Sequence, residues 1–361
     1  MVAARRWRRA LAGAGPAAAI LALACRPTLD QTISIVSEPT VLAVRSDPPE
    51  AAAAPPDNVV TMTALYVDGN GAIASAPIDW AFCTARNPLA NLGPVNPECF
   101  EASGSWFVPM GVGLQATGTI PDDACRQFGP DVPQPMMNQP QGRPVDPDST
   151  GGYYQPVRLA APGATGPSMT IGDARLSCGL ANAIGNASAE FAKRYHVNTN
   201  MAVASLSVSG AASPGNSMLS TDAKGATNPV QAGTHIALTA AWAACPTMDV
   251  CGDGFCGPDE TAQSCPSDCT TPKGCTGAER YANFDLETQS VIDQREAIAV
   301  AWFATGGAFD VDRTGRDSTD LTASSDNGWR APAQPGLVHM WVVLRDDRGG
   351  TGWAEYAFDV R

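Results

Sequence analysis

Eleven cysteines, 36 carboxylates and three histidines are the side chains of this 361-residue chain with chemistry to offer. The densest group is Cys251-Gly252-Asp253-Gly254-Phe255-Cys256, followed by Glu260, Cys265 and Cys269. Counted from Asp249, Asp253 and Gly254 fall at the middle positions of a calcium-binding loop and Glu260 at its closing, bidentate position. Cys251 stands where another oxygen ligand belongs, so a second reading competes: a turn in which glycine permits positive φ and Asp253 caps backbone N–H groups. Calcium held by Asp249, Asp253 and Glu260 is therefore one expectation and a structural turn the other. Asp310-Val311-Asp312-Arg313-Thr314-Gly315 has a similar start, with Leu321 where the closing Glu belongs. The chain holds no Gly-x-Ser-x-Gly, His-Glu-x-x-His or phosphate-loop motif. Asp122-Asp123 and Asp346-Asp347 are adjacent acidic pairs, expected to be solvated. No catalytic residue is expected, and no cofactor besides calcium.

Cys25 has a different chemistry. Arg5, Arg6, Arg8 and Arg9 precede an uncharged, Ala- and Leu-rich stretch that ends in Leu21-Ala22-Leu23-Ala24-Cys25. That stretch is too short for an ordinary membrane span and fits a signal segment. Its end resembles a lipobox, with Ala22 where Leu is usual. The resemblance implies a signal peptide over 1–24, acylation of Cys25, a lipidated tether over 25–37, and an outer-membrane lipoprotein facing the periplasm or the cell surface. The membrane, through that anchor, is then one partner.

The chain carries 23 basic and 36 acidic residues, a net −13. Setting the four signal arginines aside leaves 19 against 36, a net −17. No basic patch exists to follow phosphates, so nucleic acid is not a partner. Ten cysteines besides Cys25, in an exported chain, predict disulfides. The preferred pairs are Cys83–Cys99, Cys125–Cys178 and Cys245–Cys275. Within the cluster, Cys251–Cys265 with Cys256–Cys269 is preferred over two other connectivities. A four-thiolate zinc site is the competing use of the cluster. The cluster resembles the Cys-Gly-Asp-Gly modules of secreted bacterial proteins, Myxococcus-type repeats among them.

These elements need a scaffold, and alternation supplies it. Thirty-five Gly and 30 Pro favour short strands and turns over long helices. Val60, Met62, Ala64 and Tyr66 alternate, as do Ile236, Leu238, Ala240 and Trp242, which is the pattern of half-buried strands. Val41–Ser46 precedes the first run and Val203–Val208 the second. Ile78–Cys83, with Trp80, and Ile298–Phe303, with Trp302, follow them. This repeat resembles the immunoglobulin-like β-sandwich of bacterial surface proteins, with Trp80 and Trp302 as core tryptophans. It implies a mainly β chain of two tandem Ig-like sandwiches. The first spans 38–195, with a Pro-rich loop over 129–152 and a short helix, Ala187 to Tyr195, at its end. The second spans 196–361 and carries a Cys-rich insertion over 245–275. Val338, Met340, Val342 and Leu344, then Tyr356, Phe358 and Val360, predict a terminal hairpin that packs His339.

The function expected from this is a non-catalytic, membrane-anchored envelope lipoprotein, a structural or binding module for an envelope protein or a glycan. The alternative is a carbohydrate-active or calcium-dependent binding protein. Trp106, Trp329 and Trp353 would line its cleft, being tryptophans without a predicted place in a core.

Overall fold

The computed structural model describes residues 33–52, 54–87, 95–129, 137, 150–180, 186–210, 213–218, 227–271 and 273–361. Cys25, the signal segment, most of the expected tether and nearly all of the Pro-rich loop lie outside the described residues. Ser34 to Arg361 form one unit. The architecture is mainly β, and its strand order repeats. In the first sandwich, Val59–Asp68 pairs with Thr40–Asp47 on one side, with Gln115–Thr119 on the other, and with the short Gly71–Ala72. The facing sheet runs Glu50–Ala52, Ser168–Ser177, Gly152–Ala161, Asp79–Cys83, Phe107–Val112.

The second sandwich repeats the plan. One sheet runs Ser213–Met218, Ser205–Gly210, His235–Ala241, Ser324–Arg330, Ala308–Phe309. The other runs Asn228–Val230, Thr351–Val360, Gly336–Asp346, Ile298–Ala304, Arg313–Arg316. In both sandwiches a short early strand crosses over to pair in parallel with the last strand: Glu50–Ala52 with Ser168–Ser177, and Asn228–Val230 with Thr351–Val360. Two sheets, this crossover and a buried Trp on an interior strand define both as Ig-like sandwiches. Trp80 and Trp302 are fully buried, each in its own core. The Trp80 indole N–H donates to the Gly113 carbonyl at 2.7 Å, and that of Trp302 to the Thr314 hydroxyl at 2.9 Å, so neither polar end is stranded.

The structure forms five disulfides: Cys83–Cys99, Cys125–Cys178, Cys245–Cys275, Cys251–Cys265 and Cys256–Cys269. Every cluster thiol is thereby used, which leaves none for a four-thiolate zinc site. Two boundaries differ from expectation. The insertion does not end at 275. It continues into a hairpin, Arg280–Asp285 with Ser290–Arg295, on which the helix Ala187–Arg194 packs through Phe191 against Ala282, Phe284 and Val291. Nor does free tether reach residue 37. Ile35 bridges to Ala304, and Val36 is buried, donating its N–H to the Ala304 carbonyl at 2.9 Å.

Candidate functional site

The sandwiches meet at a seam with an apolar half and a polar half. The apolar half arises from strands that bury both faces. Along Val59–Asp68, Val60, Met62, Ala64 and Tyr66 fill the first core while Leu65 and Val67 point the other way. Along Gly336–Asp346, Val338, Met340, Val342 and Leu344 fill the second core while Trp341 and Val343 point out. These outward residues meet, with Val36, Ala43, Ala301 and Phe303, in a third buried cluster. Trp341 has 0% exposure there. Period-2 geometry makes this possible only for strands apolar on both sides, and Met340-Trp341-Val342-Val343-Leu344 is such a run.

The polar half is built on the connector after the helix. The Asn198 N–H donates to Glu50 of the first sandwich at 3.2 Å, and its side-chain amide to Asp346 of the second at 3.2 Å. Asn200 donates to the Ser46 carbonyl at 2.7 Å and accepts from the Thr351 N–H at 3.0 Å. Each asparagine thus ties both sandwiches, whose edges would otherwise carry unpaired backbone groups.

Two buried arginines balance part of the charge. Arg175 pairs with Glu50 at 3.2 Å. Arg348 donates to Glu296 at 2.8 Å, to Glu279 at 3.1 Å and to the His196 carbonyl at 3.2 Å, and lies over the Tyr281 ring at 4.6 Å. Burial drives the Glu50 carboxyl upward, but Arg175 and the Tyr195 and Ser177 hydroxyls outweigh it and hold Glu50 below its ordinary value. Burial and the neighbouring Glu296 push Glu279 up to about 7 despite Arg348. Burial raises Glu296 and Asp346 as well. Asp346 is thus not solvated as expected. It ends a strand inside the seam at 8% exposure, and only Asp347 faces outward.

Glu50 gives a pH prediction. A folded-state value below the unfolded one stabilises above the unfolded range and is lost as pH falls through the folded value. The Tm difference between the protein and E50Q is therefore expected to be largest near neutrality and to shrink below about pH 4.5. A difference that grows on acidification would contradict it.

Of the calcium candidates, Asp249 and Asp253 line one small concavity, while Glu260 groups with other residues. Asp249 is held by Arg280 at 2.6 Å and by the Asp259 N–H at 2.8 Å. Asp253 caps the Phe255 N–H at 2.9 Å in an Asx turn, with Gly252 and Gly254 at positive φ. Glu260 is buried, accepts from the Gly257 N–H at 3.1 Å and lies within 4.8 Å of Cys251, Cys265 and Asp268. The disulfides fold the loop back on itself, so sequence spacing does not become a ligand shell. Asp310 pairs with His235 at 3.0 Å and Asp312 accepts from the Ser34 hydroxyl. His196 bonds the Gly257 carbonyl at 2.9 Å, and burial lowers its pKa. His339 packs beside Glu355 at 3.0 Å.

The three unassigned tryptophans do not share a cleft. Trp329 is in the second core at 0% exposure. Trp353 borders the seam, under Arg45 at 5.0 Å. Trp106 donates to the Glu98 carbonyl at 3.0 Å. The concavity at the seam is instead a cleft of about 310 Å³ between Val41–Val44 and Thr170–Asp173, closed by Tyr154, Arg345 and Thr351.

Strand order and seam together define a tandem Ig-like protein whose two sandwiches are fused face to face. No family model matches the chain, and no curated protein does. Among solved structures it is similar to the fibronectin(III)-like modules of Clostridium thermocellum CbhA, at 11% identity over 88% of this chain and 94% of that one, with a TM-score of 0.19. It is also similar to the Yersinia pseudotuberculosis adhesin InvE, at 10% identity over 91% of this chain and 61% of that one, with a TM-score of 0.20. Likenesses this low carry no argument, so the fold assignment rests on the strand order. Among the described residues no helix is long and apolar enough to cross a membrane.

Proposed function

We propose that this is a non-catalytic scaffold or binding module of a bacterial envelope, of the Myxococcus-type lipoprotein kind, tethered to the outer membrane through acylated Cys25. It acts as a rigid body that holds a protein or glycan partner at fixed geometry to that tether. The observation that carries the reading is the fused seam. Buried apolar side chains and two bridging asparagines replace the flexible linker that tandem domains usually have. Both buried arginines of the seam are engaged in holding it: Arg175 pairs with Glu50, and Glu279 and Glu296 share Arg348. A second reading, recognition of a small polar group, draws on the cleft at Asp173 and Arg345, whose volume is at the low end for ligand sites.

Eight residues lie between Cys25 and Ser34, so an acyl anchor would keep the body within about 30 Å of the bilayer. Each buried CH₂ of the acyl chains contributes about 0.8 kcal/mol, and several chains together give stable attachment. Fractionation of cells carrying Cys25→Ser tests the anchor. The variant is expected to move from the membrane to the soluble fraction. Continued pelleting with membranes would overturn the tether.

A further inference from the structure

The Asp346 carboxylate in the polar half of the seam is not satisfied by anything described above. Asp346 accepts three hydrogen bonds on Oδ1: from the Gly350 N–H at 2.8 Å, the Arg348 N–H at 2.9 Å and the Asn198 amide at 3.2 Å. Its Oδ2 is equally buried and has no hydrogen-bond partner. A buried carboxylate oxygen in that state is costly unless a proton or a cation meets it. The surroundings supply more oxygen. One oxygen each of Glu296, Asp346 and Asp347 lie within 4.8 Å of one another. A methyl group placed on Gly350 would strike both Asp346 Oδ2 and the Thr199 carbonyl oxygen, so that carbonyl borders the same spot.

Charge points the same way. Glu279, Glu296, Asp346 and Asp347 set four carboxylates around one guanidinium, that of Arg348. The Glu50–Arg175 pair is neutral by itself and contributes nothing to the balance. Asp347 faces solvent, which leaves a path of entry.

We propose that Glu296, Asp346 and Asp347 form a divalent-cation site, of calcium type, in the seam between the sandwiches. All the donors are oxygen, which suits magnesium, calcium or manganese better than ions that favour thiolate or imidazole. The carboxylates come from two separate segments and the Thr199 carbonyl from a third, an irregular set that suits the flexible coordination of calcium better than the strict octahedron of magnesium. The ion would join the segment entering Ile298–Ala304, the end of Gly336–Asp346 and the connector in one clamp. This site is distinct from the 249–260 loop and does not depend on the membrane anchor.

The test is calorimetric titration of the full oxidised protein with calcium chloride, alongside its Tm with and without the ion. Binding is expected with Kd on the order of 10⁻⁴–10⁻³ M, the range of extracellular modules, and with a rise in Tm. D347N changes an exposed side chain and so leaves the fold in place. It is expected to weaken binding by about tenfold or more. D346N, which converts the orphan oxygen to an amide, is expected to abolish it. E260Q is expected to bind as the parent does. No heat and no Tm shift at about 10 mM calcium would overturn the proposal and assign neutralisation to protons. So would binding that survives D346N and D347N but is lost in E260Q, which would put the ion in the Cys-rich insertion.

Discussion

Arg348→Ala is expected to destabilise the protein by about 3–5 kcal/mol, the range for breaking a buried ion pair from one side. Arg348 is 1% exposed and is, among the described residues, the one positive charge paired with Glu279 and Glu296. Its loss leaves two buried carboxylates without a counter-charge, the His196 carbonyl without its donor, and a void over the Tyr281 ring. The cost lies in the stranded partners more than in the lost attraction. Urea unfolding followed by intrinsic fluorescence measures it as a lowered midpoint at unchanged slope. A loss below about 1 kcal/mol would mean that the carboxylates find protons at no cost, and the electrostatic half of the seam would carry no weight.

Trp341→Ala is expected to cost about 3–5 kcal/mol, as large-to-small changes of buried aromatics do. The position makes this informative. Trp341 points away from the core of its own sandwich, whose inner face on that strand is Val338, Met340, Val342 and Leu344. Were the sandwiches independent, Trp341 would sit on a surface, and its truncation would fall within about 0.5 kcal/mol. It is completely buried in a cluster to which the other sandwich contributes Ala43, Leu65 and Val67. Unfolding of W341A should therefore lose the coupling between the halves as well as stability. A near-neutral W341A would place the halves apart in solution.

The strands that carry the two cores were legible in the sequence because burying one face imposes alternation. Val60 to Tyr66 and Ile236 to Trp242 follow it, and both runs lie in equivalent strands of the repeated plan. The five cysteine pairs also join the residues the sequence suggested. The seam was harder to see, although its signal was present. Attention to Val338, Met340, Val342 and Leu344 hides the fact that Trp341 and Val343, between them, are apolar too. An uninterrupted apolar run in a strand means two covered faces, and so a second packing partner.

Other features had no local signal. The hairpin Arg280–Asp285 with Ser290–Arg295 turns at Gln289, which takes positive φ where glycine or asparagine is the usual marker. Asp346-Asp347 reads as any solvated acidic pair, because burial of the first is decided by Asn198 and Arg348. Asn198 and Asn200 look like linker residues. Their role as bridges depends on strands far from them in sequence: Glu50–Ala52 and Gly336–Asp346 for Asn198, Thr40–Asp47 and Thr351–Val360 for Asn200.

The central claim is that the sandwiches form one cooperative body, and differential scanning calorimetry of the disulfide-intact protein tests it most directly. One transition is expected, with calorimetric and van't Hoff enthalpies equal, because neither half buries its seam face without the other. Two resolved transitions, one for each sandwich, would contradict the account.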